Sequence, residues 1–240
     1  MVNEYEVHTE DQEQRIKLLS EVDILEPCTT EQIARLSQRT SERFVQCGAV
    51  VYKAGDASEV LYLVLEGRIR LYGTLSAGQE FTFEVVQAGT IFGEASLAGR
   101  ARTENAQTLE ASWVGLLNLD TFWQLLRQIP QVNERLVNLL VSRSFMNRSR
   151  MKALAVKGVV ARLAGLILEI CQSEGVVTRE GHYKIGANYT HEQIATMIGA
   201  KRVTVTRAFG KLQECGSVQL LRRRIYIVDL ATLQQLAAAG

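Results

Sequence analysis

"YTHEQIATMIGAKRVTVTRAFGKLQ", residues 189–213, is the stretch that decides the fold of this 240-residue chain. It opens with a possible helix cap, continues as a short amphipathic segment to Gly199, and resumes as a second helical segment that carries arginines. A glycine at this place can adopt the left-handed conformation that a tight turn between two helices needs. The stretch is therefore predicted to be a helix-turn-helix. Apolar residues at helical spacing supply the contacts between its two helices: Ile194, Ala195, Ile198, Val205 and Phe209.

The residues that follow are predicted to form a basic hairpin. CGSVQLLRRRIYIVDL, residues 215–230, places two β-rich runs on either side of three consecutive arginines. Three adjacent charges in a hairpin turn are too costly to bury, so this wing is expected to be exposed. Residues 158–240 are thus predicted to be a winged helix-turn-helix domain.

Charge is distributed unevenly along the chain. Residues 143–240 carry 15 Lys and Arg against 6 Asp and Glu, a balance of +9, whereas the first 142 residues have a balance of −8. Lysines and arginines that neutralise phosphates release condensed counterions, so a basic half is typical of a nucleic-acid-binding protein. We therefore expect double-stranded DNA to be the partner of the C-terminal domain.

The second helix of the helix-turn-helix is the predicted recognition helix. Residues near its N-terminal end reach base edges in the major groove, where a guanidinium can bond bidentately to guanine. The residues expected to contact bases are Arg202, Val203, Thr206 and Arg207. The residues expected to contact phosphates are Thr190, Lys201, Thr204 and the wing arginines Arg222, Arg223 and Arg224, all three of which are placed in the hairpin turn.

Residues 1–119 have a different sequence pattern, with short helical segments followed by β-rich runs, and are predicted to form a sensor domain. Short helices are expected within residues 12–40. From Ser41 to about Leu119, short β-branched and aromatic runs alternate with glycines, which is typical of an antiparallel barrel or roll.

Residues 120–157 are predicted to be a connecting and dimerisation segment. One helix stops at Pro130, and a longer one reaches a hinge at Lys157-Gly158. A heptad seam on the long helix usually faces another helix, and other apolar residues, Phe145 among them, remain for packing on the roll. We therefore expect the seam to pair with a second copy of the chain, its polar members fixing the register or facing a ligand. The seam comprises Val137, Leu140, Ser144, Asn147, Met151 and Leu154.

Several short motifs are weak signals singly but specific in their order along the chain. They are Gly55-Asp56, LYLVLEG at 61–67 followed by RIRLY, Phe92-Gly93-Glu94, and Arg202 with Arg207. In that order the chain resembles, over nearly its whole length, the cyclic-AMP receptor and fumarate-nitrate reduction regulator (CRP/FNR) family of bacterial transcription factors. The resemblance implies an α+β fold with an N-terminal antiparallel β-roll like a cyclic-nucleotide-binding domain, a long dimerisation helix and a C-terminal winged helix-turn-helix. It also implies a homodimer that binds a two-fold symmetric operator and contacts RNA polymerase.

Control by cyclic AMP is not expected. In family members that bind it, the Gly-Glu pair is followed by an Arg-Ser or Arg-Thr pair at the cyclic phosphate. The corresponding position here is Glu104-Asn105, and a carboxylate repels a phosphate. Arg102-Thr103 stands two residues too early, and Asn147-Arg148 replaces the Thr-Ser pair that contacts the base.

A second resemblance concerns the recognition helix. RVTVTR, residues 202–207, is similar to that of the cyanobacterial global nitrogen regulator, a family member that senses 2-oxoglutarate. Arg102 and Arg143 match arginines of that regulator and can hold a dicarboxylate by bidentate bonds. Arg148, however, stands where the regulator has an acidic residue. Gating by a small anionic metabolite or by a cyclic nucleotide is therefore one alternative.

The other alternative, which we favour, is a protein that is active without a small ligand. In it, Arg102 and Arg143 are salt-bridged near Glu94 or Glu104. The residues of the candidate effector pocket are Gly93, Glu94, Arg102, Thr103, Arg143 and Asn147.

Other chemistries find little support. The four cysteines show no CxxC spacing, which argues against a disulfide framework or a zinc site. A cupin-type enzyme, the remote alternative, needs about three histidines near its barrel, whereas the histidines here are His8, His182 and His191. We expect no catalytic residue, metal or cofactor, and expect His191 to be a phosphate contact or a surface residue. The acidic N-terminus and the lack of a run of about 18 apolar residues predict a cytoplasmic protein without membrane contact.

Overall fold

The computed structural model describes residues 12–75 and 78–239, so His8 lies outside the described residues. The chain divides into two compact units. The first consists of residues up to Gly78 together with Phe83–Ser144, and the second of Gln79–Thr82 together with the residues from Phe145 onward.

The first unit begins with short helices, as predicted. Helix α1 spans Gln12–Ser20, a single 3-10 turn spans Asp23–Leu25, and helix α2 spans Thr30–Ser37. Thr29 caps α2 through a reciprocal pair of hydrogen bonds with Gln32, which satisfies two of the free N–H groups at the helix start.

Two four-stranded sheets follow and form the predicted β-roll. Their orders are β1-β8-β3-β6 and β2-β7-β4-β5, and the registered neighbours run antiparallel. Leu63, Val64 and Phe92 lie fully buried inside the unit. The strands are β1 (Thr40–Val45), β2 (Val50–Tyr52), β3 (Val60–Glu66), β4 (Arg68–Thr74), β5 (Glu80–Gln87), β6 (Ile91–Phe92), β7 (Asn105–Thr108) and β8 (Ser112–Asn118), with a 3-10 turn at Glu94–Ala98 after β6.

Two helices follow the roll: α3 (Leu119–Gln128) and α4 (Pro130–Val156). Pro130 both ends α3 and begins α4, because proline lacks the N–H that a helix interior needs but fits the first helical turn. Val132 is fully buried on the roll side of α4, as expected. The expectation for Phe145 is wrong, because its side chain is 65% exposed.

The second unit contains the predicted helix-turn-helix and wing. Its sheet has the order β11-β12-β10-β9, of which β11 and β12 form the wing. Strand β9 and helix α8 were not predicted. Among the described residues, no helix is both long and apolar enough to cross a membrane. The elements are α5 (Val159–Glu174), β9 (Gly175–Val177), β10 (Tyr183–Ile185), α6 (His191–Ile198), α7 (Arg202–Glu214), β11 (Val218–Leu221), β12 (Arg224–Ile227) and α8 (Leu230–Ala238).

The turn between α6 and α7 is defined at both ends. Thr190 caps α6 through a reciprocal pair of hydrogen bonds with Gln193, and Gly199 ends the helix with φ 60°. Val205 and Phe209 of α7 are buried in the core of the unit, with exposed fractions of 0% and 1%. This packing leaves the other side of α7 uncovered.

Replacing Gly199 with alanine is expected to lower the free energy of unfolding by about 1–2 kcal/mol, because a side chain is strained in the left-handed region. Gly165 in α5 is the matched control, since its φ is not positive and an added Cβ meets nothing within 4 Å. Gly165→Ala is expected to raise the free energy of unfolding by about 0.5–1 kcal/mol. Urea unfolding followed by circular dichroism measures both, and a Gly199→Ala protein as stable as wild type would contradict this account of the turn.

Candidate nucleic-acid interface and sensor site

The first turns of α7 alternate between buried and exposed residues in a way that defines one outward face. Arg202, Val203 and Thr204 are exposed, whereas Val205 is buried beneath them. Val203 is 63% exposed, although it is an apolar residue. The remaining residues predicted to contact DNA on or next to this helix are also exposed: Lys201, Thr206 and Arg207.

Thr206 is exposed but its hydroxyl already has protein partners. The oxygen Oγ1 donates to the carbonyl of Arg202 at 3.2 Å and lies 2.8 Å from Nδ1 of His191. The His191 ring in turn stacks on Phe209, with ring centroids 5.0 Å apart and an interplanar angle of 14°. His191 therefore connects the start of α6 to the recognition helix. The sequence offered no signal for this role, because the two residues are 15 positions apart and follow no local pattern.

The wing turn is shorter than predicted and its backbone is unusual. Only Arg222 and Arg223 form the turn, since Leu221 pairs with Arg224. Placing Arg224 in the turn was wrong: it is the first residue of β12 and is half-buried, because a two-residue turn is enough to connect the twisted strands. Arg222 and Arg223 have positive φ values of 48° and 64°. Such a turn favours Asn-Gly, so two arginines are costly there.

A cleft of about 300 Å³ lies between the wing and the start of α6. Thr190 and His191 line one side and Arg223 lines another. The hydroxyl oxygen of Thr190 accepts from the backbone N–H of Gln193 at 3.1 Å and keeps its proton for an outside acceptor. In the described part of the chain, Arg223 forms no ion pair, so its charge is not neutralised by the protein.

In the first unit, Arg102 is buried against the Gly-Glu segment. Its side chain is 3% exposed, and its guanidinium donates to the carbonyls of Gly93 and Val60, each at 2.6 Å. It lies over the rings of Tyr52 and Tyr62, 4.5 and 5.0 Å from their centroids. A Cβ on Gly93 would collide with Nη1 of Arg102, so this close approach requires glycine.

Arg143 is held by two carboxylates and a carbonyl. Its Nε donates to Glu84 at 3.0 Å, Nη1 to Glu94 at 2.7 Å, and Nη2 to the carbonyl of Ile91 at 2.8 Å. Burial alone would lower the pKa of the guanidinium, but Glu94 and Glu84 outweigh it and raise the pKa above its ordinary value. Arg143 is 7% exposed, and we name this group of contacts the Arg143 clamp.

The other residues of the candidate effector pocket are placed differently. Thr103 is exposed and hydrogen-bonds Glu104, which also accepts from the hydroxyl of Tyr52 at 2.9 Å. Burial, reinforced by Glu104, raises the pKa of Tyr52 well above its ordinary value. Asn147 is exposed on α4, one helical turn beyond Arg143. The structure thus brings Gly93 to Arg102 and joins Glu94 to Arg143, but Thr103 and Asn147 belong to neither group of contacts.

The seam of α4 is exposed in the single chain. Val137 and Met151 are 56% and 69% exposed, and Leu140 and Leu154 are 37% and 38% exposed. Ser144 and Asn147, the two polar seam residues, are exposed as well.

Within the part of the chain that the structure describes, no three His, Cys, Asp or Glu side chains are grouped to hold a metal ion.

Comparison with known proteins assigns both units to described families. Residues 42–129 match the family described as the cyclic nucleotide-binding domain, and residues 161–236 match the Crp-like helix-turn-helix domain. The first match covers the β-roll and the second covers the helix-turn-helix with its wing.

Individual relatives agree with these matches. A global nitrogen regulator of Synechocystis is 28% identical over 77% of this chain and 83% of its own length. A cyclic AMP receptor protein of Thermus thermophilus is also 28% identical, over 79% of this chain and 85% of its own length. The solved structure of FixK2 from Bradyrhizobium japonicum has the same fold, with a TM-score of 0.75 at 22% identity over 84% of this chain and 98% of that one. A roll of the cyclic nucleotide-binding type followed by a DNA-binding winged helix-turn-helix places the chain in the CRP/FNR family of transcription regulators.

Proposed function

We propose that this transcription regulator acts as a homodimer that binds a two-fold symmetric operator and needs no small ligand to do so. The observation that carries the proposal is the outward face of α7, where Arg202 and Arg207 are exposed and form no ion pair within the described residues, in a unit that also carries the exposed wing arginines Arg222 and Arg223. Residues 1–119 serve as the sensor domain, 120–157 as the dimerisation segment and 158–240 as the DNA-binding domain. The protein works in the cytoplasm, without catalysis, and contacts RNA polymerase.

The dimer is inferred from the seam of α4. Four apolar seam residues are exposed at heptad spacing, and contiguous exposed apolar surface marks an interaction site. A parallel pairing of two such helices relates two recognition helices by a two-fold axis. This arrangement suits an operator whose half-sites are about one DNA turn apart.

Ligand independence is inferred from the partners of the two buried arginines. All three nitrogens of the Arg143 clamp donate to protein acceptors, and Arg102 donates to two carbonyls while it packs on two tyrosines. These acceptors stabilise both guanidinium groups without an added anion. This matches the alternative in which Arg143 is salt-bridged to Glu94, although Arg102 uses carbonyls and rings where a carboxylate was expected.

One observation favours an effector-gated protein as the second candidate. Nε of Arg102 is buried and has no hydrogen-bond partner within the described residues. A buried donor without an acceptor costs free energy, and a small anion such as a dicarboxylate or a cyclic phosphate would supply one. The relatives do not favour one class of anion over the other, since a nitrogen regulator and a cyclic AMP receptor are both 28% identical to this chain.

Arg207→Ala is expected to cost roughly 1–3 kcal/mol in operator binding and to relax the preference at one base pair, because a base contact is lost. Fluorescence anisotropy on operator and scrambled duplexes, at one fixed salt concentration, measures the effect. An equal loss on both duplexes would show that Arg207 does not contact a base.

Arg223→Gly is expected to move stability and DNA binding in opposite directions. The left-handed turn is relieved, so the free energy of unfolding rises by about 0.5–1 kcal/mol. A phosphate contact is lost, so binding weakens equally on all sequences and the salt slope falls by about 1. Unfolding and salt titration on two duplexes provide the two measurements, and unchanged binding would remove the wing from the interface.

Leu140→Asp combined with Met151→Asp is expected to give monomers, because two charges enter the apolar seam of each helix. The control is Ser142→Asp combined with Ser149→Asp, which places the same charges on exposed positions of α4 away from the seam. Sedimentation velocity separates the two results. A seam variant that remains dimeric would rule out this dimer interface.

Arg143→Met is expected to lower the free energy of unfolding by about 3 kcal/mol, because Glu84 and Glu94 lose their shared cation. Arg148→Ala, an exposed position on the same helix, is the control and should change it by less than about 0.5 kcal/mol. Chemical unfolding measures both. A stable Arg143→Met protein that binds DNA poorly would favour the effector-gated candidate.

A further inference from the structure

The hydroxyl group of Thr206 has no proton to offer to DNA. A hydroxyl carries one proton and two acceptor lone pairs. The Thr206 hydroxyl donates to the carbonyl of Arg202, four residues earlier on α7, at 3.2 Å, a frequent arrangement for threonine in helices. This carbonyl is the first of two protein partners for the hydroxyl.

His191 is the second protein partner of the same hydroxyl. Its Nδ1 lies 2.8 Å from Oγ1: the Nδ1–H tautomer donates to Thr206, and the other tautomer accepts the threonine proton, so in both cases that proton stays within the protein. The ring is fixed by its stacking on buried Phe209 and by its position as the first residue of the capped helix α6. The oxygen of Thr206 is thus held toward the protein from two directions.

The second branch of the Thr206 side chain is the γ-methyl group. The residue is exposed, and with Oγ1 turned to Arg202 and His191, the γ-methyl is the branch left for a ligand. In the major groove, the apolar group on a base edge is the C5-methyl of thymine. Phosphate oxygens, guanine O6 and thymine O4 are acceptors, so a hydroxyl without a free proton cannot serve them. The remaining lone pair can accept only from the amino groups of adenine or cytosine, and the uracil test below separates that contact from a methyl contact.

We propose that Thr206 reads a thymine through methyl–methyl contact and that His191 is the positioning residue that presents this methyl group. The inference rests on the proposed operator binding and specifies how one base pair is selected. It also separates Thr206 from Thr204, whose exposed hydroxyl makes no hydrogen bond in the described part of the chain and is free to donate to a phosphate.

The test uses the operator that wild-type protein selects from a random DNA pool. One thymine position at a time, changed in both half-sites together, is replaced with deoxyuridine, which removes only the methyl group. Wild-type protein is expected to bind one such duplex about fourfold more weakly per half-site. Thr206→Val keeps a methyl group at that place and should retain the preference for thymine. Thr206→Ser keeps only the hydroxyl and should bind the two duplexes equally.

Two further variants separate positioning from general damage. His191→Phe keeps a ring on Phe209 and removes the hydrogen bond to Thr206, so the thymine preference should fall by about half in the wild-type background. In the Thr206→Val background, His191→Phe should leave the thymine preference unchanged, because both branches of valine are methyl groups and no hydroxyl has to be held back. Thr204→Val, the matched control two residues away, should weaken binding to both duplexes equally and leave the thymine preference intact.

The outcomes distinguish this inference from the proposed function. If the wild-type protein selects no symmetric operator, operator binding fails and the inference fails with it. If it binds a symmetric operator but no thymine-to-uracil change matters, or if Thr206→Val loses the preference that Thr206→Ser keeps, only the methyl contact is overturned. Equal loss by His191→Phe on both duplexes would reduce His191 to a structural role.

Discussion

A guanidinium stays charged inside a protein, and the sensor unit is built around this constraint. Arg102 and Arg143 are 3% and 7% exposed, so each needs acceptors close by. Arg102 takes two carbonyls and two tyrosine rings, and Arg143 takes two carboxylates and a carbonyl. The Arg143 clamp also attaches helix α4 to the roll, and α4 carries the exposed seam. A small anion acts on such a site only by the difference between the bonds it makes and those it displaces.

The second unit separates residues that build the fold from residues left for a partner. Val205 and Phe209 are buried, and this fixes α7 on α6 with its basic and small polar residues outward. The wing follows the same division. Arg222 and Arg223 occupy left-handed positions that destabilise the turn, and strained residues of this kind cluster at functional sites. Stability is therefore reduced at the place where positive charge is presented.

Local features of the fold could be predicted because their causes are local. The cap at Thr190, the left-handed turn at Gly199 and the end of α3 at Pro130 depend on neighbouring residues alone. Phe145 was assigned to the wrong environment because α4 carries apolar residues on more than one face, and periodicity does not say which face is covered. Arg224 was misplaced because one residue of hairpin register moves a side chain from turn to strand.

The contacts that matter most for the sites could not be predicted. Stacking of Arg102 on Tyr52 and the hydrogen bond between His191 and Thr206 join residues far apart in sequence. Spacing along the chain carries no trace of them. The residue types still indicated which segments to consider: arginines, a glycine and a threonine-rich helix start.

The most direct test of ligand-free operator binding is the selection of tight-binding duplexes from a random DNA pool with purified protein freed of small molecules. The salt concentration is fixed near the physiological value, because phosphate contacts make binding depend on salt. The account predicts a two-fold symmetric motif with half-sites about one DNA turn apart. Non-specific binding alone would contradict it, and would point to a missing effector near Glu94, Arg102 and Arg143.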